Sequence, residues 1–228
     1  MKIAGFIALA VVICGVYVTT NATAASHPEF DTESGKTLLF TSTGGLATLF
    51  TEQAGIVGEI MCEKSSGHGE ILNKTPLADN ITISFTGKCH LTINGSSNNC
   101  TEPIGFQPVR GEIGLILPAT SPKTVGILLI PYNATGKFAE PNCNGATEVS
   151  GAIIGTFPET SEYNKFAATA EIKFTSKGTT QEPQEIDLLG VEMKGIHLVT
   201  KGAFGGNLGE HASGEIVGDG GINILTNK

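Results

Sequence analysis

The stretch NITISFTG, Asn80–Gly87, alternates without a break: Ile81, Ile83 and Phe85 fall on one face, and Thr82, Ser84 and Thr86 on the other. Successive side chains of a strand point to opposite faces, so this period of two predicts a half-buried β-strand. Working outward, the same chemistry recurs in TLLFTS, LATLFT, GIVGEIMC, EIGLILP, EVSGAIIGTF, FAATAEIKFTS and VEMKGIHLVTK, with Gly, Thr and Ser abundant and charged residues at only 16%. Short strands joined by tight turns have this composition. TVGILLIP, Thr124–Pro131, differs in being a continuous apolar run, which predicts a strand buried on both faces. A helix is plausible only in LATLFTEQAG, Leu46–Gly55. The polar stretch Ser26–Lys36 is expected to be a loose leader, and SKGTTQEPQ, Ser176–Gln184, a long hairpin loop. The fold class expected is all-β, in one mostly antiparallel domain over 37–228, a sandwich or a partly closed barrel stapled by disulfides.

The N-terminus sets the compartment. Lys2 precedes an apolar run from Ile3 to Val18, and Ala22-Thr23-Ala24-Ala25 follows it. This is the pattern of a signal peptide over residues 1–25, cut after Ala24 or Ala25, so the mature protein is expected to begin at Ala25 or Ser26 and to be secreted. An uncleaved anchor is the alternative. Roughly 200 residues remain, enough for one well-buried domain. Cleavage takes away Lys2 and no acid, so the formal charge of −8 becomes more negative still. An acidic surface repels nucleic acid and anionic lipid, and no second stretch is long and apolar enough to span a bilayer, which leaves an envelope or extracellular partner.

With Cys14 in the signal, four cysteines remain: Cys62, Cys89, Cys100 and Cys143. An even count in an exported chain implies two bridges and allows three connectivities. Cys89 and Cys100 flank the turn-rich TINGSSNN, which favours a local bridge and leaves Cys62 for Cys143.

The triplet GEI occurs at Gly58, Gly69, Gly111 and Gly214 with no common period. It reads as recurring strand chemistry, with Gly at a turn, Glu in solvent and Ile in the core. The series Cys62-x(6)-GEI, SFTGKC (Ser84–Cys89), Cys100, GEIG (Gly111–Gly114), VGILLIP (Val125–Pro131), KFAEPNC (Lys137–Cys143) and SGAIIG (Ser150–Gly155) resembles a large family of secreted, uncharacterised proteins of soil actinobacteria. The resemblance covers about Leu38 to Lys177. It implies export from a bacterial cell, an all-β fold and the same four-cysteine framework, and it implies no activity.

Chemistry-bearing residues occur along the chain but form no recognisable site. MCEKSSGHGEI, Met61–Ile71, would offer Cys62, His68 and Glu70 to a metal, with His90 nearby, but the spacing is not that of a zinc site and a disulfide sulfur is no thiolate ligand. It is expected to be a stapled strand end followed by the solvated turn SSGHG. No G-x-S-x-G motif is present, although His27, His68, His90, His197 and His211 leave room for a hydrolase with a non-local site. GGNLGEHAS, Gly205–Ser213, is a poor match to a calcium roll repeat and reads as a Gly-rich turn between terminal strands. Without Trp, and with few Tyr, the chain lacks a stacking platform for sugars. The sequons at Asn73, Asn80, Asn94, Asn99 and Asn133 read as bare polar positions in a bacterial protein. No catalytic, cofactor-binding or metal residue is therefore assigned. The expectation is a non-catalytic exported protein acting by surface interaction or as an envelope component, with the hydrolase as the alternative.

Overall fold

The computed structural model describes residues 27–226, apart from 54, 120–122, 133–135, 159–162 and 203–205. The signal segment, Asn133 and the start of the Gly-rich stretch at Gly205 lie outside the described residues. Those residues contain strands and no α-helix. In chain order they begin with β1 (Glu29–Thr32), β2 (Leu38–Gly44), β3 (Ala47–Gln53), β4 (Ile56–Cys62), β5 (Lys64–Ile71) and β6 (Leu77–Thr86). Next come β7 (His90–Ile93), β8 (Ser96–Asn99), β9 (Ile104–Gly105), β10 (Val109–Ile116), β11 (Val125–Pro131), β12 (Lys137–Ala139), β13 (Thr147–Gly151) and β14 (Ile153–Thr156). The last are β15 (Ala167–Lys177), β16 (Thr180–Glu182), β17 (Ile186–Leu188), β18 (Val191–Met193), β19 (Leu198–Gly202) and β20 (Gly206–Leu225).

All pairings are antiparallel, and they curl into two joined sheets. The first runs β20–β2–β5–β6–β10–β11–β14–β15 and returns to β20. Its thinnest seam is β14 to β15, held by the Thr156↔Lys173 pair. The second runs β8–β7–β4–β3–β20–β19–β13–β12. Two features join them. The hairpin β2–β3 against β4–β5 keeps one register from Leu38↔Ile71 to Gln53↔Ile56. Strand β20 pairs with β3 and β19 through its first part and with β2, β15 and β1 farther on.

The alternation in Asn80–Gly87 is realised in β6: Ile81 and Phe85 are buried, and Ile83 packs against the same core. One irregularity interrupts it. The register shifts between His68 and Glu70 on one neighbour and between Val109 and Gly111 on the other, and Asn80 between them has φ 51°. Asn tolerates this left-handed conformation better than most residues, and a β-bulge results.

Strand β11 is buried on both faces. Val125, Ile127 and Leu129 belong to the barrel core, while Leu128 sits in a second cluster with Ile154, Ile186, Leu188 and Ile196. The cover on the outer face is the β17–β18 hairpin, with β17 continuing the β10 edge at Leu115↔Asp187.

Five expectations are corrected. Leu46–Gly55 is not helical, because β3 is locked into the register of the long hairpin and closes the second sheet against β20. Ser26–Lys36 is no loose leader: Glu29–Thr32 pairs with Ile222–Leu225, and Phe30 is only 3% exposed. SSGHG is not a turn but the middle of β5, paired on both edges to β2 and β6. The Gly-rich run after Gly205 is likewise strand rather than turn, and the register sets Gly209 opposite Phe50 and Gly218 opposite Phe40. SKGTTQEPQ carries a shorter loop than expected, since Lys177 already pairs with Thr180.

The GEI glycines also differ from expectation. They lie within strands, where they leave room for a neighbour's side chain. A Cβ on Gly69 would stand 2.8 Å from the Phe40 ring, and one on Gly111 would stand 2.5 Å from Ile127 Cδ1. Three of the isoleucines, Ile60, Ile71 and Ile113, do enter the core.

Candidate functional site

The four cysteines form two disulfides, but not in the expected pairs: Cys62 is bonded to Cys89, and Cys100 to Cys143. The ladders explain the difference. Met61 pairs with His90 across β4–β7, so the next step of that register brings Cys62 beside Cys89. His90 pairs with Asn99 across β7–β8, and Cys100 N–H donates to the Cys89 carbonyl at 2.8 Å. Cys89 thus has a cysteine on each side in one row of the sheet. Cys100 is drawn to Cys143 because the chain runs on beside it, with Thr101 N–H donating to the Asn142 carbonyl at 2.8 Å. Sequence proximity favoured Cys100 for Cys89, and the sheet order placed Cys62 equally near.

Glu102 braces this row and was missed from sequence. Its carboxylate accepts from Gly87 N–H at 2.8 Å and from Cys89 N–H at 2.6 Å. No motif marks it. A glutamate two residues after a cysteine carries no signal until the hairpin folds back on it.

The chemistry-bearing side chains of Met61–Ile71 do not converge. Cys62 is consumed by its bridge. The His68 ring meets Thr82 Oγ1 at 3.1 Å across the β5–β6 pair, and Glu70 Oε1 accepts from Asn80 Nδ2 at 3.4 Å. His90 Nδ1 lies 2.9 Å from the Lys88 carbonyl, and His197 Nδ1 lies 2.6 Å from the Gly195 carbonyl. Among the described residues there is no cluster of three or more His, Cys, Asp or Glu able to hold a metal ion. His27 lies beside Gly190, and the backbone register sets His211 opposite Thr48. The one resolved change in proton affinity is at the exposed Lys194 among the described groups: a hydrogen bond from its ammonium to Glu192, with the charges of Glu192 and Glu185, raises it.

The enclosed space is of another kind. A cavity of about 90 Å³ lies inside the first sheet. Its walls include Phe30 from β1, Phe40 from β2, Ile81, Ile83 and Phe85 from β6, Ile127 and Leu129 from β11, and Ile172 and Phe174 from β15. Four hydroxyl residues complete it: Ser42 and Thr43 on β2, and Ser65 and Ser66 on β5. Ser42 and Ser65, on the inward faces of these strands, are only partly buried, so this end lies near the surface. Glycines shape the wall there. The space that a side chain at Gly67 would fill is taken by Ser42 Oγ, 2.7 Å from the ideal Cβ position.

A smaller cavity of about 40 Å³ lies within the second sheet. Phe85 and Phe106 line both spaces and separate them. Their rings lie 5.1 Å apart, and Phe106 meets Phe138 edge-on at 5.3 Å, a favourable geometry for aromatic rings.

No helix among the described residues is long and apolar enough to cross a membrane. Two disulfides suit an oxidising, extracellular-type compartment. Compared with known protein families, curated proteins and solved structures, the chain matches none of them.

Proposed function

We propose that the protein is an exported, non-catalytic β-domain that acts through surface interaction or as an envelope component, in keeping with the bacterial family it resembles. The observation that carries this reading is the division of the molecule. His68, His90 and His197 each meet a neighbouring hydroxyl or backbone carbonyl, as His68 does with Thr82, while the cavity is walled mainly by Phe and Ile. Contact surface is available at two hairpin ends. Ile56 and Val57 are 45% and 53% exposed beside the β3–β4 turn, and Leu189 and Val191 are 56% and 60% exposed around the β17–β18 turn. Exposed apolar groups of this kind mark interaction surfaces when they are grouped.

The test is expression of the full chain in an exporting bacterial host. The product is expected outside the cytoplasm, with an intact mass beginning at Ala25 or Ser26, in the medium or the envelope fraction. No turnover of ester, peptide or glycosidic substrates is expected. Turnover that is lost in His68→Ala or His197→Ala would overturn the reading in favour of the hydrolase.

A further inference from the structure

We propose that the cavity of the first sheet is a binding site for one short, uncharged molecule with an aliphatic body and a hydroxyl end, of the class of short-chain alcohols. The body of the site is set by Phe30, Phe40, Phe85, Phe157, Ile127 and Ile172, which offer apolar surface on all sides. Size sets an upper limit. An engineered apolar cavity of about 150 Å³ takes benzene, so the 90 Å³ here accepts a smaller guest. The polar end is set by Ser42 and Ser65, which lie on the inward faces of β2 and β5 and whose hydroxyls both donate and accept. None of the described lining residues carries a charge, so an acid or an amine would leave its ionised group without a partner at a heavy cost. A guest that orients its hydroxyl toward the serines and its chain toward the phenylalanines satisfies both ends.

The space is maintained by the backbone rather than left by a missing side chain. Gly67 and Gly69 on β5 keep that wall thin, and each is overlain by a neighbour's side chain, Ser42 and Phe40, so the wall cannot collapse inward without moving the cross-strand partner. The guest's route is the hydroxyl end, where the inward-facing Ser42 and Ser65 are partly exposed.

The experiment is titration of the disulfide-intact protein with 1-propanol, with sodium propanoate and xenon as comparison probes, read by methyl NMR. Saturable shifts are expected for 1-propanol at the methyls of Ile81, Ile127 and Ile172, with no such shifts from propanoate. Xenon is expected to shift the same methyls. Ala170 lines the cavity, and Ala170→Leu fills most of it, so that variant is expected to lose the 1-propanol shifts while keeping the β-sheet circular dichroism. Ser42→Ala is expected to weaken 1-propanol several-fold and leave xenon unchanged. If Ala170→Leu does not fold, Ala78→Val serves as the filled variant. Absence of saturable shifts in the unaltered protein would overturn the proposal, as would equal binding by a folded filled variant. Tighter binding of propanoate than of the alcohol would overturn the assignment of an uncharged guest.

Discussion

Replacing cysteines in pairs tests the covalent framework and the row of the sheet that explains it. In the chain-entropy treatment a bridge stabilises according to the length of chain it closes. The Cys62–Cys89 separation of 27 residues corresponds to about 3.5 kcal/mol, and the Cys100–Cys143 separation of 43 to about 4 kcal/mol. Cys62→Ala with Cys89→Ala removes one bridge and leaves the other intact, so urea unfolding should show a loss of about 3.5 kcal/mol and a thiol assay in denaturant should find no free sulfhydryl. Cys89→Ala with Cys100→Ala breaks both bridges, with a loss of about 7.5 kcal/mol, which is comparable to the whole stability of many domains, and two free thiols. The pairing of Cys89 with Cys100 and Cys62 with Cys143 predicts the reverse order of damage. Peptic mapping at low pH, which separates Cys89 from Cys100 by cleavage beside Leu91, gives an independent reading. Free thiols in the first variant and none in the second would refute the reasoning from strand register.

Other perturbations follow from the same structure. Gly114→Ala should destabilise more than Gly111→Ala in urea melts, since the added Cβ meets the Asp187 carbonyl at 2.3 Å in the first case and the movable end of Ile127 in the second; about 1–3 kcal/mol is expected for Gly111→Ala. Phe138→Ala should cost about 3–5 kcal/mol, because the ring is fully buried against Phe106. Glu192→Gln should lower the Lys194 pKa toward 10.5 in an NMR titration. The sign follows from the raised folded-state value: whatever stability this ammonium adds is present at neutral pH and is lost only as pH rises through that value, so melts near pH 7 should be insensitive to pH through Lys194.

Local periodicity carried much of the fold. Ile81 and Phe85 could be oriented from alternation alone, and the run Val125–Pro131 announced two covered faces before the cover was known. The cover itself was not legible. Ile186, Leu188 and Ile196 come from short segments whose apolar residues gain meaning only when β17 extends the edge of β10. The glycines misled for a related reason. Gly at a turn and Gly beneath a cross-strand ring look alike in sequence, and only the register that sets Phe40 opposite Gly69 separates them. Cys89 shows the same limit, since the residue nearest in sequence and the residue nearest across the other edge of β7 were both cysteines. The cavity could not be foreseen, because a strand pattern says which side chains face inward and not whether they meet.

Strand β20 has a consequence for the order in which the molecule can be made. Glu29, among the first described residues, pairs with Leu225, among the last, and residues 206–225 border both sheets. During synthesis neither sheet can gain its shared strand until the end of the described chain has emerged. The long hairpin from Leu38 to Ile71 can form early, but it then waits with open edges for a partner roughly 160–180 positions downstream, a slow, non-local closure. Until residues 206–225 arrive, β2 and β3 each lack the neighbour on one edge, so β20 is the latch that shuts both sheets together.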